Sequence, residues 1–248
     1  MENNQDNNIV YHHYNTTHHG LSSAELIISY LEHELNIQPR SVIDVGCGLG
    51  QWLHVFSSMY ASEVIGIDGP HVPKEESFIS EKQRVRCNLE DFVVSSSEYS
   101  YDLVICLEVA EHLDISLADT LVNKLTSLGD TLLFSAAIPG QTGENHVNEQ
   151  PHKFWLDKFE ERDYLILDPF RKTFWDDSRV NWWYAQNLFL ITRPSSCSEE
   201  AIKYRYDHRM YVHPQLLDLY RHAATRSVTC KNSSLYSKAK SLIARVVG

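Results

Sequence analysis

The chain has 248 residues, the length of one full α/β domain or of one domain with an appendage, and it can bury a substantial core. Hydrophobic residues at 43% and charged residues at 22% follow ordinary globular usage, which excludes a disordered or fibrous chain. The formal net charge of -11 argues against a protein that grips nucleic acid over its whole surface, but the charge is uneven. Residues 200–248 hold nine basic and three acidic side chains, a local +6, which leaves -17 for residues 1–199.

The first twenty residues are polar and carry His12, His13, His18 and His19. They lack a cationic start and an apolar run, so no secretory signal is expected, and no later stretch approaches the length of a membrane span. Paired surface histidines of this kind are commonly just exposed; the head could also fold over a ligand as a lid, with Tyr11 or Tyr14 lining it. SSAELIISYLEHEL then spaces Leu26, Ile27, Tyr30, Leu31 and Leu35 as one face of a helix over 22–35, with Ser22 or Ser23 as its N-cap. Short apolar runs follow at 41–45, 63–68, 84–88, 102–109 and 131–137, several of them separated by helix-compatible segments. Two more come at 164–168 and 187–192. Strands alternating with helices predict an α/β fold built on a mostly parallel sheet. The five cysteines are odd in number and form no Cys-x-x-Cys pair, which reads as reduced thiols in a cytosolic protein.

SVIDVGCGLGQWL ends a strand in Asp44, turns through Gly46, Gly48 and Gly50, and enters a helix at Leu49 or Gln51. Glycines there permit a tight turn and close approach of a ligand, while free N–H groups at the helix start favour a polar or anionic group. A dinucleotide fingerprint would place its third glycine at position 51, where Gln51 stands, so the spacing disfavours NAD. The next strand ends at Asp68, where a carboxylate could accept both hydroxyls of a ribose. The third ends in Asn88-Leu89, an amide and a backbone edge for a purine, and the fourth delivers Glu108, Glu111 and His112 at its carboxyl end, where open α/β sheets keep their ligands.

At these residues the sequence resembles the class I S-adenosylmethionine-dependent methyltransferases, over roughly residues 20–193. The resemblance implies a Rossmann-like seven-stranded, mostly parallel sheet with helices on both faces, and S-adenosylmethionine as cofactor. It likens Asp44, Gly46, Gly48 and Gly50 to the loop that holds the methionine part, Asp68 to the ribose ligand, Asn88 and Leu89 to the adenine contacts, and CLEVAEHL, with Glu108, to the fourth motif. Asn88 departs from the family, which usually has Asp there. SAAIPGQTGENHVNEQPHKFW, RVNWWYAQNLFLIT and YVHPQL further resemble a bacterial subgroup found with glycan assembly, which implies a sugar or glycan acceptor. Trp155, Trp175, Trp182 and Trp183 could then stack on sugar rings, although core or rim packing is the commoner fate of any one Trp.

Removing a proton from a hydroxyl acceptor calls for a base, and His112, His146 and Glu111 are the candidates. Glu111 and His112 open a helix in this reading, so the acid could instead cap N–H groups and the imidazole could pack on the cofactor. Glu108, Glu111, His112 and His146 could also hold Mg²⁺, Mn²⁺ or Zn²⁺, and the pattern resembles the metal cluster of small-RNA 2′-O-methyltransferases. The same phrase occurs in metal-free relatives, and no metal is assigned.

The expected organisation is a head over 1–20, a methyltransferase domain over 21–193 and a basic helical extension over 194–248. The end of that extension, LYSKAKSLIARVVG, is basic and amphipathic, suited either to docking on the domain or to peripheral contact with an anionic membrane. Two alternatives to a glycan O-methyltransferase remain: a metal-assisted RNA 2′-O-methyltransferase, which the acidic core speaks against, and an inactive cofactor-binding partner subunit.

Overall fold

The structure, a computed structural model, describes residues 21–93 and 100–229. The His-rich head, its lid role and the amphipathic end of the chain lie outside the described residues.

Seven strands form one mixed sheet: β1 Ser41–Val45, β2 Glu63–Asp68, β3 Arg84–Arg86, β4 Leu103–Leu107, β5 Thr131–Ser135, β6 Leu165–Leu167 and β7 Phe189–Thr192, in the order β3-β2-β1-β4-β5-β7-β6. The first five run parallel, and β7 lies antiparallel between β5 and β6. The expected seven-stranded, mostly parallel Rossmann-like sheet is what forms. Helices are α1 Ser22–Leu35, α2 Gln51–Tyr60, α3 Ala118–Leu128, α4 His152–Glu160, α5 Phe170–Phe174, α6 Trp182–Asn187, α7 Glu199–Ile202 and α8 Pro214–Thr229.

The two faces of the sheet are read off β4 alone. Leu103, Ile105 and Leu107 pack with α1, α2, Phe170 and Ala185, while Val104 and Cys106 pack with α3, α4 and Phe134 on the other side. Period-two alternation in a strand buried on both faces gives two cores, one under each helical layer.

Three local expectations change. α1 takes no cap from its serines, because both hydroxyls serve tertiary contacts: Ser22 donates to the Arg179 carbonyl at 2.8 Å, and Ser23 accepts the Asn181 N–H at 2.9 Å. Glu111 and His112 do not open an α-helix. They sit in a 3₁₀ turn, Ala110–His112, entered through Glu108 at φ 53, and α3 begins only at Ala118. Trp155 is not an acceptor platform: it is 1% exposed, between Phe134 and Phe154 in the core under α4.

Residues beyond β7 pack tightly onto the sheet. Arg205 bridges to Leu167, Ala201 and Leu216 are fully buried, and Tyr206 and Tyr211 face the guanidinium of Arg171, which is ion-paired with Asp168 at 2.6 Å. Among the described residues no helix is long and apolar enough to cross a membrane.

Candidate active site

The loop after β1 is built around its glycines. Gly46 and Gly50 have positive φ, and a Cβ on either would collide with protein, with Val109 at Gly46 and with Ile79 at Gly50. Gly48, at φ +52, has nothing within 4 Å of where a Cβ would sit. The outer two glycines therefore serve packing and the middle one faces open space, where a ligand can come against bare backbone.

Asp68, at the carboxyl end of β2, holds this loop in place. Its two oxygens accept the N–H groups of Gly48 and Gly69, each at 2.7 Å. A carboxylate offers about four lone-pair sites, so two remain for the hydroxyls of a ribose. Asp44 is fully buried on β1, and burial first, then the Asp68 charge, pushes its carboxyl well above the usual range against the opposing charge of Arg84. A cation bound beside this pair would offset the charge of Asp68 and draw Asp44 toward ionisation. Arg84, which sequence reading passed over, braces the loop from behind by donating to the Gly48 carbonyl at 2.8 Å and the Ser77 hydroxyl at 3.0 Å. The open backbone at Gly48, the spare acceptors of Asp68 and this charge fit the sulfonium nucleoside implied by the sequence.

Asn88 and Leu89 follow β3. Leu89 packs half-buried on the core, whereas Asn88 is exposed and donates to Asp91 at 3.3 Å, at the head of a turn in which its carbonyl accepts from Asp91 and Phe92.

At the end of β4 the chain forms the second half of the site. The loop 139–150 returns to this point because the Glu111 carbonyl accepts the N–H groups of Val147 at 2.9 Å and Asn148 at 3.0 Å. That pinning brings the His146 ring to 4.8 Å from the His112 ring, edge to face. Glu111, His112 and His146 thus meet, with one ligand atom from each inside a mutual distance of 4.8 Å. Glu149 orients the His146 ring: His146 Nδ1 donates to its Oε1 at 2.9 Å, and the backbone N–H groups of Gly140 and Thr142 anchor its carboxylate at 2.6 and 2.7 Å. Burial pushes the Glu149 carboxyl up, but those three hydrogen bonds outweigh it and hold the group below its ordinary value. Burial, then the charge of Glu108, pushes Glu111 the other way, well above the carboxylate range.

Glu108 stands apart from that cluster. Its carboxylate accepts from Gln141 Nε2 at 2.8 Å and from Asn187 Nδ2 at 3.2 Å. Asn187 Oδ1 in turn accepts from His152 Nε2 at 3.0 Å and Gln186 Nε2 at 3.1 Å, and Gln186 Oε1 accepts the His213 N–H at 2.8 Å. Burial, then the Arg171 charge, pushes His152 down to about 3, so its ring is neutral. This buried network ties the β4 turn to α6 and to the chain beyond β7. It was missed in the sequence, where the one usable signal was the pair of amides in AQNLFLIT, polar groups set directly before an apolar strand.

Trp175 and Trp182 are half-buried and flank His213, at 4.9 and 6.2 Å between ring centroids, and Trp183 sits against Trp182 at 5.8 Å. Tyr220 of α8 donates to the Pro139 carbonyl at 2.8 Å, so the C-terminal segment also touches the loop that carries His146. A separate groove of about 630 Å³ between α1 and α2, lined among others by Leu26, His54 and Met59, includes none of these site residues.

A family model described as a methyltransferase domain matches residues 18–203. No curated protein matches the sequence. Among solved structures, the plantazolicin methyltransferase BpumL, in complex with SAH and a desmethylPZN analogue, is similar at 13% identity, with 72% of this chain and 86% of that chain covered and a TM-score of 0.50. The magnesium protoporphyrin IX methyltransferase of Synechocystis with bound SAM is 17% identical over 70% of this chain and 79% of that one, TM-score 0.47. A SAM-dependent methyltransferase from Archaeoglobus fulgidus is 22% identical over 61% and 74%, TM-score 0.46. At such identities the BpumL likeness carries the fold alone.

Proposed function

The chain belongs to the methyltransferase domain family, and from that membership we propose that it transfers the methyl group of S-adenosylmethionine to a hydroxyl oxygen of a sugar or glycan intermediate. The observation that carries the hydroxyl acceptor is the convergence of Glu111, His112 and His146 at the carboxyl end of β4, beside a glycine loop with open backbone at Gly48.

The bound cofactor supplies an electrophilic methyl on a cationic sulfur, and the positive charge is lost on transfer. The chain therefore has little anionic charge to stabilise, and its work is alignment, exclusion of water and removal of one proton. Asp68 fixes the nucleoside through its free lone pairs while its other lone pairs keep the loop in shape. Asp68 favours the cationic end in the ground state, and that positive charge in turn favours ionisation of Asp44. The hydroxyl proton leaves toward the Glu111, His112 and His146 cluster, where Glu149 holds a proton on His146 Nδ1 and leaves Nε2 as acceptor. Half-buried Trp175, Trp182 and Trp183, gathered around His213, would offer ring faces and edges to the acceptor. Free Cys47, Cys87, Cys106 and Cys197 fit the reducing cytosol.

The test joins calorimetry with S-adenosylmethionine to a mass screen of candidate sugars, glycans and nucleotides for the gain of one methylene. Cofactor binding with a methylated sugar is the expected result. Absence of binding would overturn the enzyme reading, and a methylated nucleotide alone would replace the acceptor.

A further inference from the structure

We propose that Glu111, His112 and His146 form a binding site for a first-row divalent cation. One ligand atom from each lies within 4.8 Å of the others. A shell of about 2.0–2.2 Å radius spaces its donors roughly 3–4 Å apart, so small side-chain rotations close the set around an ion.

Two features point to a ligand at this place, and a third shapes it. Glu111 is 0% exposed, and its carboxylate has no side-chain partner and no well-formed hydrogen bond, only the approach of the Glu111 and Ala137 backbone N–H groups. A buried carboxylate so thinly partnered is costly, and a cation supplies what is missing. His146 has the outer support typical of a metal ligand, because its Nδ1 donates to Glu149 and so leaves Nε2 to coordinate. Position 143 is glycine, and a Cβ there would overlap the His146 ring at Nε2, so the ring can take up this position beside His112 only because residue 143 has no side chain.

Glu108 lies outside the set, its carboxylate being taken by Gln141 and Asn187. Two imidazoles and one carboxylate with positions left open suit Zn²⁺, Mn²⁺, Fe²⁺ or Co²⁺ better than Mg²⁺, which prefers oxygen ligands. The open positions would take an acceptor hydroxyl and lower its pKa, its proton passing to solvent water, so that with the ion bound the three side chains serve as ligands in place of the proton-accepting role they have without it. That role rests on the methyltransferase reading; the binding does not.

The experiment is a titration of chelator-treated full-length protein with Co²⁺, followed by its visible d–d absorption. One equivalent is expected to bind, with affinity falling at least tenfold in E111Q and H146N and about 10–100-fold in E149Q. A variant with His12, His13, His18 and His19 all changed to Asn should keep the equivalent. Binding that survives E111Q and H146N, that vanishes with the four head histidines, or that is missing altogether would overturn the site. If the substitutions prevent folding, ¹⁵N-histidine spectra of the unmodified protein decide, since Co²⁺ must shift His112 and His146 strongly and other histidines weakly. A chain that binds Co²⁺ here but not S-adenosylmethionine would sink the methyltransferase reading and leave this one standing; the reverse would sink only the site.

Discussion

Asn187 donates its side-chain amide to the Glu108 carboxylate at 3.2 Å while its own carbonyl accepts from His152, so one residue at the end of α6 satisfies a half-buried carboxylate and a buried imidazole. Glu108 itself is held at φ 53, a region few non-glycine residues enter, and the network gives that turn its support.

Asn187→Ala leaves Glu108 and His152 each short of a partner. A loss of about 1–3 kcal/mol is expected in urea unfolding at neutral pH, with methyl transfer reduced further than stability implies because the β4 turn loosens. A variant with unchanged midpoint would show that the network is dispensable.

Asp44→Asn should stabilise the ligand-free protein at neutral pH. The folded pKa of Asp44 is raised, so the native state keeps its proton to higher pH than the unfolded chain does. Its contribution is intact below the unfolded value, about 3.9, and is lost as pH rises from there through the folded value. The neutral amide removes that loss, and a melting temperature a few degrees higher at pH 7, but not at pH 3, is expected, 1 kcal/mol being worth roughly 2–4 °C in a domain of this size. Affinity for S-adenosylmethionine should fall at the same time, since an amide cannot ionise when the cationic end arrives as Asp44 can. Calorimetry and thermal melts at the two pH values test both arms.

Gly46→Ala and Gly48→Ala should separate folding from binding. The first drives a methyl into Val109 and should lower the melting temperature clearly. The second meets no protein atom, so it costs only the left-handed strain of roughly 1–2 kcal/mol while its methyl fills the ligand's approach. A cofactor affinity at least tenfold weaker in Gly48→Ala, with most of its stability kept, is the expected pattern; equal affinity to the parent would refute the placement of the ligand at this glycine.

The tryptophans divide in the same way. Trp155→Ala opens a cavity in the core and should cost about 3–5 kcal/mol. Trp183→Ala, at a half-buried ring beyond the core, should raise the acceptor KM severalfold and leave the cofactor Kd within about twofold. A changed cofactor Kd with an unchanged acceptor KM would remove Trp183 from the acceptor side.

The sequence by itself determined the sheet and its ligand edge. Strand positions at 41–45 and 63–68 and helix 22–35 coincide with β1, β2 and α1, because periodicity two and 3.6 are properties of local chain geometry that burial only reinforces. Asp44, Asp68 and the three glycines were legible for the same reason: they sit where a parallel strand must end and turn. What only the tertiary structure decided is which side chains share protons and charge across the fold. Ser22 and Ser23 were free to cap α1 and were drawn instead to Arg179 and Asn181, and Trp155 went to the core. Glu149 was one acid among many until the loop folded back on the Glu111 carbonyl and set it against His146. Glu108, read with Glu111 and His112 as one motif, was separated from them by Asn187, 79 residues away. Hydrogen-bond partners at such separations leave no periodic trace in a single chain; they exist only once packing has desolvated both groups and made each costly to leave alone.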